Sequence, residues 1–114
     1  LNELSHSKTR MKWMNRVNRK HAAIHLGGPT FRWVHLCLNA IKALPKIIPR
    51  VETPVLILQA EKEKIVDNKN LEKLTALFPH AESMLVPQAK HEILFEKDNV
   101  RKAVLERVNQ FLHS

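Results

Sequence analysis

Apolar residues recur every third or fourth position along the first part of the chain, a spacing that is typical of one face of a helix. Met11, Met14 and Val17 follow it, and Ser7 lies where a side chain can cap the first helical turn. The pattern predicts a helix that ends near His21, with basic residues and no acidic ones between its apolar positions.

A second helix is predicted after the break at Gly27-Gly28-Pro29, with Thr30 as its cap. Its apolar stripe consists of Phe31, Val34, Leu38 and Ile41. Pro45 and Pro49 interrupt this spacing, so we expect the helical stripe to end there and a short turn of helix or loop to follow through Ile47-Ile48.

The pattern changes at residues 55–58, which are apolar without alternation and rich in β-branched side chains. Such short runs are typical of parallel strands that are covered on both faces. Residues 71–78 return to helical spacing, residues 83–86 form a second short apolar run, and residues 100–112 give a final helical stripe. The order strand, helix, strand, helix predicts a parallel α/β unit with a helical crossover.

Two parallel strands alone do not make a stable sheet. We therefore interpret the chain as the C-terminal part of a larger α/β fold, and its start at Leu1 rather than at a methionine adds to this expectation. The alternative is a complete small domain that completes its sheet by dimerising.

Composition narrows the function classes. The 114 residues carry a formal charge of +8, and 44% of them are apolar, as in an ordinary globular chain. The single cysteine, Cys37, excludes an internal disulfide and a four-cysteine metal site. The only glycines are adjacent, which excludes phosphate-binding loops, dinucleotide fingerprints and the G-x-S-x-G nucleophile elbow.

Two residues in the loops after the predicted strands are candidates for acid–base catalysis. Asp67 follows the first strand and His91 follows the second. Parallel strands place their carboxyl ends at one edge of the sheet, so an acid and an imidazole can meet there and act as a general acid–base pair. The alternative is structural: a loop aspartate often caps the next helix, and a loop histidine is often simply solvated.

Four local sequences resemble bacterial lysophospholipases of the monoacylglycerol-lipase-like group. They are LGGPTFRWV (residues 26–34), PVLILQAE (54–61), IVDN (65–68) and HEILFEKD (91–98). The resemblance implies an α/β-hydrolase fold and a serine hydrolase that cleaves acyl esters of lysophospholipids or monoacylglycerols. The order of Asp67 before His91 also matches the second half of the family's Ser…Asp…His order. The resemblance further implies that Asp67 is the triad acid and His91 the triad base, and that no metal or organic cofactor is required.

The same resemblance divides the chain at residue 49. Residues 1–49 would form lid-region helices and their return to the core, and residues 50–114 the C-terminal strand–helix–strand–helix unit. Phe31, Trp33 and Leu94 are the candidate neighbours of the acyl chain. The sequence departs from the family because none of its serines, at positions 5, 7, 83 and 114, lies in a nucleophile elbow. We therefore expect the chain alone to be inactive.

The basic segment 8–20 leaves a second class of function open. It is either a lid helix with its charged face in water, which we favour, or a contact with an anionic membrane surface. A non-catalytic basic module that associates with itself or a partner is the alternative to the hydrolase fragment. The exposed edge of the strand at residues 55–58 also leads us to expect that the fragment self-associates. Nucleic acid is not an expected partner, and His21 and His25 lack a third metal ligand. The expected location is cytoplasmic, with peripheral contact to the inner membrane as the open addition.

Overall fold

The computed structural model describes residues 3–24 and 26–114. Within them, two helices precede the strand unit: α1 (Lys8–Lys20) and α2 (Phe31–Ile47). Ser7 Oγ accepts a hydrogen bond from Arg10 N, and Thr30 Oγ1 accepts one from Trp33 N, as the sequence predicts for the two caps.

Helix α2 continues through Pro45 to Ile47, so of the two expectations for this segment the turn of helix is confirmed and the loop is wrong. Proline has a helical φ but no N–H, so it removes one backbone hydrogen bond without reversing the chain. Near the end of a helix, that loss affects only the last turn. A 3-10 turn, Ile48–Arg50, follows directly and includes Pro49.

The second part of the chain is a parallel α/β unit, as predicted. Strand β1 (Val55–Ala60) pairs with β2 (Ala81–Val86), and helix α3 (Asn68–Thr75) connects them. Helix α4 (Asp98–Leu112) follows the second strand and packs against β1. Ala60 lies opposite Val86 in the register, so the loops after both strands leave the sheet side by side.

The core lies at the carboxyl ends of the two strands. Ala60, Val86, Ala89 and Val104 are buried together, with Leu58, Ile93 and Val100 packed against them. Residues 55–58 are only half-buried, because β1 has a single paired neighbour in the described part of the chain. The burial on both faces that the apolar run predicts is therefore not reached within the described residues.

Candidate active site

The loop after β1 holds a buried carboxylate close to the strand end. Glu63 lies three residues beyond Ala60, and its side chain is 5% exposed. Its Oε1 accepts backbone hydrogen bonds from Lys64 N at 2.8 Å, Ile65 N at 2.7 Å and Val66 N at 3.3 Å. The turn of backbone that follows Glu63 thus surrounds one carboxylate oxygen with N–H donors, an arrangement that favours the ionised form.

The other oxygen of this carboxylate faces the loop after β2. Glu63 Oε2 lies 2.8 Å from His91 Nδ1. Burial opposes ionisation of Glu63, but the N–H groups of Ile65 and Val66, together with the His91 ring, hold its pKa below the usual range. An ionised carboxylate can only accept, so Nδ1 of His91 carries the proton in this contact. Nε2 of a neutral His91 ring is then left as a proton acceptor.

Asp67 makes its hydrogen bonds at the start of α3. Its Oδ1 accepts from Lys69 N at 3.0 Å and its Oδ2 from Asn70 Nδ2 at 2.8 Å. The structural interpretation of Asp67 as the cap of α3 is confirmed. The described residues therefore pair His91 with Glu63, and both carboxylate oxygens of Asp67 are used at the start of the helix.

Glu63 has no feature in the sequence pattern that distinguishes it from the other acids of its loop. Glu61, Glu63 and Asp67 all lie in the loop after β1, at the edge where His91 is expected. Distance along the chain from the strand end does not identify Glu63, because Glu61 lies closer to Ala60. The N–H donors that surround the Glu63 carboxylate depend on the backbone conformation of the loop, which the sequence pattern does not specify.

Glu61 links the two loops that carry the pair. Its Oε2 accepts from Gln88 N at 2.9 Å, and this bond is the main reason that the pKa of Glu61 is lowered. Gln88 has a φ of 58°, a left-handed conformation that is uncommon outside glycine. Lys62 N also donates to Ala89 O at 2.8 Å. These two bonds hold the loops of Glu63 and His91 against each other.

The three residues proposed to contact an acyl chain are exposed. Phe31 is 97% exposed and Trp33 58%, both in the first turn of α2. Leu94 is 53% exposed and lies in the 3-10 turn Ile93–Phe95, directly after the His91 loop. Only Leu94 is close to His91 along the chain.

The serine hydroxyls are engaged elsewhere or lie in regular structure. Ser5 Oγ donates to Phe95 O at 2.7 Å, and Ser7 Oγ caps α1. Ser83 is exposed in β2, where it lies opposite Ile57. The hydrogen bonds of the described residues join no serine hydroxyl to the ring of His91.

The described residues contain neither a metal cluster nor a membrane-spanning helix. Within residues 3–24 and 26–114, no group of three or more His, Cys, Asp or Glu side chains could hold a metal ion. His25, one half of the His21–His25 pair considered from the sequence, lies outside the described residues. The described helices are all too short or too polar to cross a membrane.

Comparison with known proteins defines the class. The model of the family described as serine aminopeptidase, S33 (Hydrolase_4) matches residues 1–98, and the chain belongs to this family. The chain also resembles the crystal structure of a soluble variant of monoglyceride lipase from Saccharomyces cerevisiae in complex with a substrate analogue. The TM-score is 0.79 and the identity 25%, over 99% of this chain and 41% of that one. The predicted α/β-hydrolase fold class is confirmed.

Curated relatives make the resemblance more specific. The chain is 75% identical over 112 residues to the "Probable lysophospholipase L2" of Haemophilus influenzae, covering 98% of this chain and 36% of that protein. It is 32% identical over 120 residues to the lysophospholipase L2 of Escherichia coli K12, covering 99% of this chain and 35% of that protein. The predicted resemblance to lysophospholipases is confirmed, and the chain spans about a third of the length of these relatives.

Proposed function

We propose that this chain supplies the acid–base half of a serine hydrolase site, with His91 as the general base and Glu63 as its acid partner. The observation that carries the proposal is the 2.8 Å contact between Glu63 Oε2 and His91 Nδ1. Glu63 takes the role that the sequence analysis gave to Asp67. The support for this change is that the carboxylate of Asp67 is used to cap α3.

In the proposed reaction, His91 first accepts a proton from the serine and then donates it to the leaving group. Nε2 of His91 removes the proton of a serine hydroxyl as that oxygen bonds to the ester carbonyl carbon. His91 then gives the proton to the departing alkoxide, which leaves as an alcohol and a serine-bound acyl group remains. In the second half of the reaction, His91 takes a proton from a water molecule as the water oxygen bonds to the acyl carbon. The proton then passes to the serine oxygen, and the fatty acid is released. Throughout, Glu63 holds the imidazole by Nδ1 and stabilises its charged form.

The nucleophilic serine would come from a part of the protein outside this chain. The support is that Ser5, Ser7 and Ser114 are used in local hydrogen bonds and that Ser83 lies within β2. The oxyanion hole would come from outside as well. On this account the isolated chain does not hydrolyse esters, and no metal or organic cofactor takes part.

The proposed substrates are acyl esters of lysophospholipids or monoacylglycerols. The names of the relatives support this class, since they are a lysophospholipase L2 and a monoglyceride lipase. Leu94 is proposed to contact the acyl chain beside His91, and Phe31 and Trp33 to contact it from the lid region at residues 1–49. An exposed aromatic ring and an exposed leucine gain from burial against an acyl chain.

The experiment uses a full-length chimera, in which this chain replaces the matching 112 residues of the Haemophilus influenzae relative. We expect the chimera to release fatty acid from lysophosphatidylcholine or monooleoylglycerol, and His91→Gln to lower kcat by about 10⁴-fold or more. His80→Gln, an exposed histidine before β2, is the matched control. An inactive chimera beside an active parent, or an active His91→Gln variant, would contradict the proposal.

A second candidate rests on surfaces rather than on the acid–base pair. Helix α1 carries Arg19 and Lys20 in its last turn and no acid in its first, and β1 has one open edge in the described part of the chain. A basic module that self-associates, or that contacts anionic lipid from the cytoplasmic side of the inner membrane, would use these surfaces. Light scattering across concentrations and sedimentation with anionic vesicles separate this candidate from the hydrolase.

A further inference from the structure

The segment before α1 lies against the loop that follows His91. We call residues 4–10 the N-terminal clasp. Leu4 O accepts from Glu92 N at 2.8 Å, and Ser5 Oγ donates to Phe95 O at 2.7 Å. Arg10 Nη1 donates to Glu96 O at 2.7 Å, and the same guanidinium pairs with Asp98. Segments almost ninety residues apart in the sequence are therefore joined by several polar contacts.

Glu96 is the centre of this contact. Its side chain is 1% exposed, although a glutamate is almost never fully buried without partners. Oε1 accepts from Lys90 N at 3.0 Å and lies 2.9 Å from His6 Nδ1. Oε2 accepts from Lys97 N at 3.2 Å, and His6 N lies 3.1 Å from both oxygens.

These donors keep Glu96 charged inside the protein. Burial opposes ionisation, but the backbone N–H groups of Lys90, His6 and Lys97 and the ring of His6 hold the pKa of Glu96 below its usual range. Removing an acceptor would leave buried N–H donors without a partner, which costs more than an ordinary hydrogen bond contributes.

Glu96 and the N-terminal clasp bind the backbone on either side of His91. The residue before His91, Lys90, is held by its N–H on Glu96, and the residue after it, Glu92, is held by its N–H on Leu4 O. Two residues before His91, the carbonyl of Ala89 is bound by Lys62 N, next to Glu63. The backbone that carries the imidazole is therefore fixed on both sides and also to the loop of its acid partner.

We propose that Glu96 is a positioning residue, which joins the N-terminal clasp to the His91 loop and holds the imidazole where Nδ1 meets Glu63. This inference rests on the proposed function. Glu96 touches neither the imidazole of His91 nor the reacting atoms, and it acts through the backbone of Lys90. Its role is to keep the geometry of the pair within the narrow range that proton transfer requires.

The first test is Glu96→Gln in the full-length chimera. The amide places an NH₂ group where a carboxylate oxygen now faces N–H donors, so part of the cluster loses its acceptor while the side-chain volume is kept. End-point titration with a fluorophosphonate counts the reactive serine sites, and kcat is expressed per titrated site. We expect kcat to fall about 10- to 100-fold, with KM within about twofold of the unmodified chimera.

Three companion variants distinguish positioning from simple loss of fold. Glu96→Asp keeps the charge and both acceptors, so we expect it to retain more kcat than Glu96→Gln. His6→Ala removes the ring contact and keeps the backbone N–H, so its loss is expected to be smaller than that of Glu96→Gln. Glu52→Gln, an exposed glutamate before β1, is the matched control and should leave kcat unchanged.

A spectroscopic measurement reports on the pair without catalysis. With ¹⁵N-labelled histidine, the Nδ1 signal of His91 shows whether that nitrogen carries a proton and donates it. We expect Glu96→Gln to weaken this donor signature, and Glu52→Gln to preserve it. An unchanged kcat per site together with an unchanged His91 signal in Glu96→Gln would overturn the inference.

The failure of the inference and the failure of the proposed function are distinguishable. If the unmodified chimera hydrolyses no ester, the proposed function fails, and the His91 signal in Glu96→Gln still decides the positioning role. If the chimera is active and Glu96→Gln lowers only the number of titrated sites, Glu96 supports folding alone and the inference is wrong.

Discussion

The loops at the ends of the two strands and the helix α2 differ in whether their side chains find packing or hydrogen-bond partners within the described residues. In the loops, the buried carboxylates of Glu63 and Glu96 are surrounded by N–H donors from the chain itself. In α2, none of the 17 residues is buried, and Phe31, Leu38 and Ile41 are all more than half exposed. The loops supply their own partners, while α2 carries an apolar stripe that the described residues do not cover.

The difference follows from the kind of contact that each region needs. A carboxylate can be held by a few N–H groups of a nearby turn, so the Glu63–His91 pair needs only two adjacent loops. An apolar helix face needs a wide surface to pack on. Because the chain spans 36% of the Haemophilus influenzae relative, we expect that surface in the rest of a full-length hydrolase.

The largest expected effect is the loss of activity in the isolated chain. The 114-residue chain contains the acid–base pair, and on our account it lacks the nucleophile. We expect no hydrolysis of a short-chain ester above buffer, while the full-length chimera is active at the same concentration. The measurement is the rate of 4-nitrophenyl butyrate hydrolysis. Turnover by the isolated chain that persists in its His91→Gln variant would point to a contaminant, whereas turnover abolished by that change would contradict the account.

Removal of an apolar residue from α2 should lower the free energy of unfolding only in a protein where the rest of the hydrolase covers the helix. We expect Leu38→Ala to lower the free energy of unfolding of the chimera by about 2–5 kcal/mol, the range for a buried leucine. In the isolated chain, where Leu38 is 53% exposed, we expect a change within about 0.5 kcal/mol. Urea unfolding followed by circular dichroism measures both.

Lys42→Ala is the matched control for that comparison, since it changes an exposed polar residue on the same helix. It should have little effect in either protein. Equal effects of Leu38→Ala in the chimera and in the isolated chain would show that α2 does not pack on the rest of the hydrolase.

Acid should destabilise the protein through the loop carboxylates, since α2 contains no acidic residue. Folding lowers the pKa of Glu63 and Glu96 below the ordinary value of 4.5, so the unfolded chain binds more protons than the folded one as the pH falls. The stability that these carboxylates contribute is therefore complete above pH 4.5 and is lost as the pH falls through their folded pKa values. Urea midpoints measured from pH 7 downward should decline in this window, and Glu96→Gln should flatten the decline. An identical decline in that variant would contradict the assignment.

The smallest effect is expected at Asp67. Asp67→Ala removes the cap of α3 and should cost about 1 kcal/mol of stability, whereas Asp67→Asn keeps a good capping side chain and should cost a few tenths at most. Thermal unfolding of the two variants measures this difference. A loss in Asp67→Asn as large as that in Asp67→Ala would mean that the charge matters more than the cap.

Sequence reasoning predicted the elements well where local rules decide them. The caps at Ser7 and Thr30, the two parallel strands and the final helix follow from residue type and spacing. Whether helix or loop follows Pro45 was not decided by the pattern, because a proline near a helix terminus removes only one hydrogen bond and does not prevent the last turn.

The site was harder to predict than the fold. The sequence placed acids and His91 at the same edge of the sheet, but three acids shared the loop after β1. The partner of His91 depends on how the backbone turns after Glu63, since that turn directs three N–H groups at one carboxylate oxygen. The burial of Glu96 depends on contact with the N-terminal clasp, which is distant in the sequence and has no periodic signal.

The most direct test of the account compares Glu63→Gln with Asp67→Asn in the full-length chimera. Both changes replace a carboxylate by an amide in the same loop, so each is a control for the other. If Glu63 is the acid partner of His91, Glu63→Gln should lower kcat by about 10³- to 10⁴-fold, as loss of the triad acid does in serine hydrolases. Asp67→Asn should retain nearly full kcat. A severe loss in Asp67→Asn with little change in Glu63→Gln would contradict the central claim.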